Sequence, residues 1–170
     1  MITGEKTMLR PIVFEDIEIL NRWKNDEETF KYLGGGFSPI SIDQQKQWLD
    51  NLIDLTGNHR RYLVCLETGS PIGFIGLYDI NWINRTAEIG IYIGEKEARG
   101  HGYAYDATTT LEAYAKDYLN IRKLKIFVIT NNLPAIKMWM KLGYQKIGEY
   151  QKERYIRGEY LNLSIMEKFL

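Results

Sequence analysis

The sequence predicts an α+β fold built on one central, mostly antiparallel sheet flanked by helices. Three observations predict it. Two segments with helical spacing of apolar residues come first; a run of strand-like segments joined by tight turns follows; the chain then closes as strand, helix, strand, helix and paired strands. That order lacks the regular alternation of a doubly wound nucleotide fold.

Each element has its own signal. "MLRPI" reads as a short first strand. "FEDIEILNRWKND" places Phe14, Ile17, Leu20 and Trp23 on one helical face. "FKYLGGGFSPIS" is a glycine-rich loop, after which Ser41 or Asp43 caps a helix whose Trp48, Leu52 and Leu55 share a face. "RRYLVCLETGSPIGFIGLYDINW" gives two strands around a "TGSP" turn, and "RTAEIGIYIG" a third. "YAYDATTTLEAYAKDYL" is a helix with Ala104, Ala107, Leu111 and Tyr114 in a stripe. "KLKIFVIT" is a strand. "PAIKMWMKLGY" is a short helix with Pro134 in its first turn and Gly143 as its stop. The remainder forms two closing strands.

The 170 residues fit one domain, residues 1–170, and a chain of this length buries roughly 70% of its unfolded surface. It is 45% hydrophobic and 26% charged, ordinary for a globular protein. Lys plus Arg and Asp plus Glu number 22 each, so no long-range field draws it to nucleic acid or to an anionic membrane. The start, "MITGEKTMLRPI", lacks an apolar signal core, and no run approaches a membrane span. The lone cysteine, Cys65, allows neither an internal disulfide nor a cysteine metal cluster and points to a reducing cytoplasm. In "RYLVCLE" it reads as buried filler. His59 and His101 have no partners at metal spacing, so no metal site is expected.

The chemically suggestive stretch is "EKEARGHGYAYDAT", Glu95 to Thr108. Gly100 and Gly102 stand at the mouth of a helix, where unpaired N–H groups and a partial positive charge suit an anion. Arg99 offers a charge-assisted bond. The stretch matches neither the P-loop nor the dinucleotide fingerprint, and a plain tight turn explains it equally well by itself. A second segment, "TNNLPAIKMWMKLGY", lies about thirty residues on. By local physics alone its Asn132 is a helix cap.

Together the two segments resemble the Gcn5-related N-acetyltransferase (GNAT) superfamily. The family's Gln/Arg-x-x-Gly-x-Gly/Ala loop appears as Arg99, Gly102 and Ala104, a better frame than the one from Glu97. Its Asn-x-x-Ala-x-x-x-Tyr-x-x-x-Gly-Phe segment appears as Asn132, Ala135, Trp139, Gly143 and Tyr144. The tail "ERYIRGEYLNLSIMEK" looks like the branch containing ribosomal-protein and spermidine acetyltransferases. The similarity runs from Leu9 to Phe169.

The resemblance implies an acetyl-CoA-dependent N-acetyltransferase whose splayed central strands hold the cosubstrate. The backbone of Ile91, Tyr92 and Ile93 would pair with the pantetheine arm and polarise the thioester carbonyl. Arg99, Gly100, His101, Gly102, Tyr103, Ala104 and Tyr105 would wrap the pyrophosphate, with the His101 side chain turned to solvent. Asn132 and Trp139 would flank the adenosine and thiol end. A primary amine, on a small molecule such as a polyamine or amino sugar or at a protein N-terminus, would attack directly in a ternary complex. Such an amine is mostly protonated at neutral pH, and Glu88, which aligns with a frequent family acid, is the expected base. Its competing readings are a solvated strand-edge charge or an ion-pair partner of Arg85.

Trp139 departs from the family, where a tyrosine often protonates the leaving thiolate. An indole cannot do so. Tyr92, Tyr103 or Tyr105 could substitute, water could serve, or the chain could be a non-catalytic acyl-CoA-binding sensor. Trp23, Tyr32, Phe37 and Trp82 are candidates for an acceptor pocket. The acids of "NDEE", residues 25–28, would attract a cationic amine or merely solvate a helix end. Homodimers are common among such small acetyltransferases.

Overall fold

The computed structural model describes residues 1–170. Its centre is an eight-stranded sheet in the order β1-β2-β3-β4-β5-β6-β8-β7. The strands are β1 (Ile2–Thr3), β2 (Met8–Pro11), β3 (Arg60–Cys65), β4 (Pro71–Asn81), β5 (Thr86–Ile93), β6 (Lys123–Ile129), β7 (Gln145–Ile156) and β8 (Glu159–Phe169). Every neighbouring pair is antiparallel except β5 and β6. The helices are α1 (Ile17–Lys24), α2 (Glu27–Phe30), α3 (Ile42–Ile53), α4 (Tyr103–Asp117) and α5 (Leu133–Lys141).

Helices cover both faces because the strands are apolar on both. In β3, Tyr62 and Val64 join the larger core beneath α4 and α5, with Leu111, Ala107, Trp139 and Leu142. Leu63 and Cys65 point the other way, into a smaller core with Leu20 and Trp23 of α1 and Leu49 of α3. Cys65 is thus the buried filler expected of it.

The predicted elements are present, with three adjustments. Phe14 lies in a 3₁₀ turn ahead of α1 and is exposed, so only Ile17, Leu20 and Trp23 of its predicted face pack inward. Ser41, rather than Asp43, caps α3 by accepting the Gln44 N–H at 3.1 Å. The buried stripe of α3 then runs through Gln45 and Leu49, while Trp48 sits on its flank, 42% exposed. The two-residue β1 and the one-turn α2 were not anticipated; both are too short to carry a periodic pattern. Asp26 nucleates α2, its carboxylate accepting from the Thr29 N–H at 2.9 Å.

Strands β5 and β6 position the site. They pair in parallel only at Thr86/Lys123, Ala87/Leu124 and Glu88/Lys125. Beyond Glu88 they part. β5 continues against β4 as far as Ile93, and β6 against β8 as far as Ile129. A V-shaped gap opens between them, with Glu88 at its apex and one edge of each strand unpaired.

Candidate active site

A cleft of about 1360 Å³ runs through this gap from one face of the sheet to the other. That exceeds the ~300–1,000 Å³ of a pocket for one drug-sized ligand and leaves room for two reactants end to end. On the α4/α5 side it is lined by the glycine loop, Tyr103, Ala104, Tyr105 and α5. On the α1/α3 side it is lined by Phe30, Trp48, Tyr78 and the loop after α2.

The glycine loop is built to leave donors free. Gly102 is the residue before α4 and has φ +81°, a left-handed conformation that suits glycine. It has no side chain to fold back onto the first N–H groups of α4, which therefore stay open toward the cleft. The Lys6 ammonium lies beside Gly102, within 3.5 Å of where a Cβ would stand.

Arg99 differs from the sequence expectation. Its Nε donates to the Ile93 carbonyl at 3.1 Å, and its other nitrogens bond Glu28 at 3.0 Å and Thr29 at 2.8 Å. The guanidinium is thus a strut tying the loop to β5 and α2, not a free hand for phosphate. His101 lies outside the cleft; its ring nitrogen meets the Arg99 carbonyl at 2.8 Å and its ring stacks on Tyr103. Ile91, Tyr92, Ile93, Gly100, Tyr103, Ala104, Tyr105, Asn132 and Trp139 all line the cleft. Asn132 holds the position before α5 but makes no capping bond with its side chain, which leaves its amide free.

Glu88, Gly90 and Tyr92 share the face of β5 that looks toward α1 and α3, opposite Tyr78, Gly76 and Phe74 of β4. Gly76 and Gly90 lie directly opposite each other, and the Tyr78 ring lies across them. A Cβ at Gly76 would meet the Tyr78 oxygen at 2.9 Å, and one at Gly90 its ring at 3.2 Å. Burial pushes the Tyr78 phenol up to about 12, so it stays a neutral O–H donor. Burial also pushes the Glu88 carboxyl up; the charge of Lys125 opposes that shift and Asp79 adds to it. Glu88 makes no ion pair with Arg85, whose guanidinium instead bonds the Asn120 side chain at 3.1 Å.

Trp139 is 3% exposed, packed edge-on against Tyr144 with ring centres 4.9 Å apart. It is an apolar wall of the cleft. Tyr92 is taken up by packing, stacked on Phe74 and edge-on to Trp23 and Phe30. Of the four aromatics expected at an acceptor pocket, only Tyr32 lines the cleft. Trp23 is core, Trp82 lies under Arg60, and Phe37 is outside. The acids of "NDEE" are engaged at home: Asp26 and Glu28 with Lys96, Glu27 with Arg157. Sequence reasoning missed Tyr78, Arg61, Lys24 and Arg154, all of which line the cleft. The register of β3, β4 and β7 brings Arg61, Tyr78 and Arg154 to the cleft, and the packing of α1 on the sheet brings Lys24.

A parted strand pair and a bare helix N-terminus beside it are features expected from the sequence resemblance. Residues 6–145 match the family model of the acetyltransferase (GNAT) domain. The chain belongs to the GNAT acetyltransferase family. It is an acetyl-CoA-dependent N-acetyltransferase acting on an amine. Among its relatives, the N-acetyltransferase p20 of Bacillus licheniformis is 30% identical over 155 residues, covering 88% of this chain and 86% of the relative. The spermidine N(1)-acetyltransferase of Escherichia coli (strain K12) is 29% identical over 168 residues, covering 95% and 85%. The crystal structure of spermidine N-acetyltransferase from Vibrio cholerae, in complex with CoA and spermine, superposes with a TM-score of 0.89 at 24% identity, covering 96% of this chain and 95% of that one. At that identity the likeness speaks for the fold. No helix is long and apolar enough to cross a membrane.

Proposed function

We propose that residues 1–170 work as a single cytoplasmic domain that acetylates a small primary amine, with Glu88 as the base. The observation that carries this reading is the parting of β5 and β6 at Glu88. It puts an ionisable carboxyl at the junction between the two halves of the cleft. Relatives whose names include spermidine support a small-molecule acceptor.

Acetyl-CoA supplies an activated acyl group as a thioester. The residues fit it: the unpaired edge of β5 from Ile91 to Ile93 offers main-chain partners to an amide-bearing arm. The first N–H groups of α4 suit a pyrophosphate, aided by Lys6, and Asn132 flanks the same half. Gly100, Tyr103, Ala104 and Tyr105 shape the wall, and Arg99 holds the loop in place. Glu88 takes a proton from the acceptor's ammonium, directly or through water; the neutral amine would then attack the thioester carbonyl, forming the C–N bond as the C–S bond breaks and CoA leaves as thiolate. Its raised pKa brings it closer to the working pH, where a base both ionises and accepts a proton effectively. Trp139 excludes water from the reacting end. A thiol with a pKa near ~8.5 leaves tolerably without an acid, so no tyrosine is required at that position.

The test follows free thiol with a chromogenic disulfide while acetyl-CoA meets spermidine, amino sugars, aminoglycosides and peptides with free N-termini. Amine-dependent thiol release above hydrolysis is expected. Clear binding of CoA without release on any of these amines would point to an acceptor of another class. Sedimentation of the same protein decides whether it is a homodimer.

A further inference from the structure

The α1/α3 half of the cleft, where the amine must enter if the assignment of halves above holds, is lined by three cations that make no ion pair, although the charge of Arg61 is felt by Asp54 outside the cleft. Lys24 stands at the end of α1, 4.6 Å above the Phe30 ring, and its ammonium reaches only the Gly36 carbonyl, at 3.4 Å. Arg154, on β7, donates to the Leu33 carbonyl at 2.7 Å. Arg61, on β3, donates to the Asn51 carbonyl at 2.7 Å and lies over the Tyr78 ring. All three line the cleft, all are partly buried, and none takes part in an ion pair.

A half-buried cation without a counter-ion is costly, and main-chain carbonyls neutralise none of its charge. Lys24 and Arg154 grip the same short loop, Leu33 to Gly36, from different elements, so their charges are held near one another. The acids that a polycation would need are spent elsewhere. Glu28 is bound by Lys96 and Arg99, and Glu27 by Arg157. Of the remaining acids on the cleft, Glu88 is a single carboxyl at the apex of the gap, opposite Tyr78, Glu153 is exposed, and Asp79 is largely exposed and faces His59 at 4.0 Å. The half-exposed indole of Trp48 adds a flat apolar wall to this half, suited to a ring.

We propose that the amine this enzyme acetylates carries a phosphate, held by Lys24 and Arg154 at the 33–36 loop with Arg61 on the adjoining wall. Several separated cations favour a multiply charged phosphate or diphosphate over a single carboxylate, and arginine forks match phosphate oxygens. A phosphorylated or nucleotide-linked amino sugar has this chemistry; spermidine, with charge of the wrong sign, does not.

The inference rests on the transferase reading, and the experiment separates the two. The protein is first saturated with CoA, which fills the α4/α5 half; failure of CoA to bind would overturn the transferase reading itself. Glucosamine, glucosamine 6-phosphate, UDP-glucosamine and spermidine are then titrated in by calorimetry. At least one phosphate-bearing probe should bind at least about tenfold more tightly than glucosamine, and more tightly than spermidine. Which of the two does so distinguishes a monoester from a nucleotide diphosphate. Arg154→Met and Arg61→Met should each shrink that advantage by about tenfold, with Arg154→Lys between. Arg61 does not touch the 33–36 loop, so its variant still reports if Arg154→Met disturbs that loop. No gain from the phosphate, or tighter binding of spermidine, overturns the proposal.

Discussion

Burial raises the Glu88 carboxyl above its ordinary value, which would suit the proposed base and costs stability. A raised acid means that the native state holds its proton more tightly than the unfolded chain does. Between the unfolded and native pKa values the native state therefore carries more protons, and stability falls as pH rises through that window. Glu88→Gln cannot ionise, so it should melt higher than the wild type at neutral pH, an advantage that disappears below about pH 4. The same variant should lose about 10²- to 10⁴-fold in kcat, together with the acidic limb of the pH–rate profile. Melting curves and rates across pH check both halves; a variant that melts lower at pH 7 would mean that Glu88 is paired, not merely buried. Trp139→Phe should keep kcat within roughly threefold, because the indole N–H takes no part in proton transfer. Trp139→Ala should cost about 3–5 kcal/mol through the cavity it leaves, read as lowered denaturant midpoint. Glu88 and Trp139 were legible in the sequence because each falls within or beside a compact motif. Lys24, Arg61 and Arg154 were not, because a lone cation on a strand or helix end looks like any solvated charge.

The N-terminal turn of α4 must stay open toward the cleft while being held firmly from behind, and one side chain does the holding. Asp106, 7% exposed, accepts hydrogen bonds from the main-chain N–H groups of Glu5, Lys6 and Thr7 at 3.0, 3.1 and 2.9 Å, and from the Thr7 hydroxyl at 2.6 Å. Its negative charge also sits in the first turn of α4, where the helix dipole favours it. Asp106→Ala strands the two buried donors of Thr7 and two partly buried ones and should cost roughly 3 kcal/mol. For a chain of this size that is a fall in Tm of roughly 6–12 °C. Because Lys6 lies in the anchored segment, CoA affinity should fall in the same variant; unchanged CoA affinity would mean that Lys6 contributes nothing to the phosphate site. Nothing in "YAYDATTTLEAYAKDYL" announces this role. Asp106 reads locally as a helix-start acid, and its partners lie about a hundred residues away in sequence. The periods of α1, α4 and α5 were readable, since each packs one apolar stripe on the sheet. In α3 the apolar spacing through Trp48 misled: the helix turns Gln45 and Leu49 inward and lends Trp48 to the cleft.

At the scale of the whole molecule, the sheet is the chassis and its one parallel junction is where the cleft opens. Strand order could be inferred only by resemblance, since the length of the β5/β6 pairing depends on how α4 and α5 pack across the larger core. Beyond Glu88 the parted strands carry main-chain groups that no neighbouring strand pairs, so a ligand that replaces the missing strand should stabilise the whole fold. At a concentration 100 times its Kd, a ligand that binds only the native state adds about 2.7 kcal/mol, which for this length corresponds to roughly 5–11 °C in Tm. Acetyl-CoA should reach that shift. Gly102→Ala should blunt it, because a Cβ at φ +81° strains the turn by about 1–2 kcal/mol and re-aims the first N–H groups of α4. The control is the unliganded variant, whose own melting point reports the strain alone. If acetyl-CoA shifts Gly102→Ala as far as it shifts the wild type at matched concentration, the α4 N-terminus is not the anion site, and the unpaired β5 edge would have to carry the binding by itself.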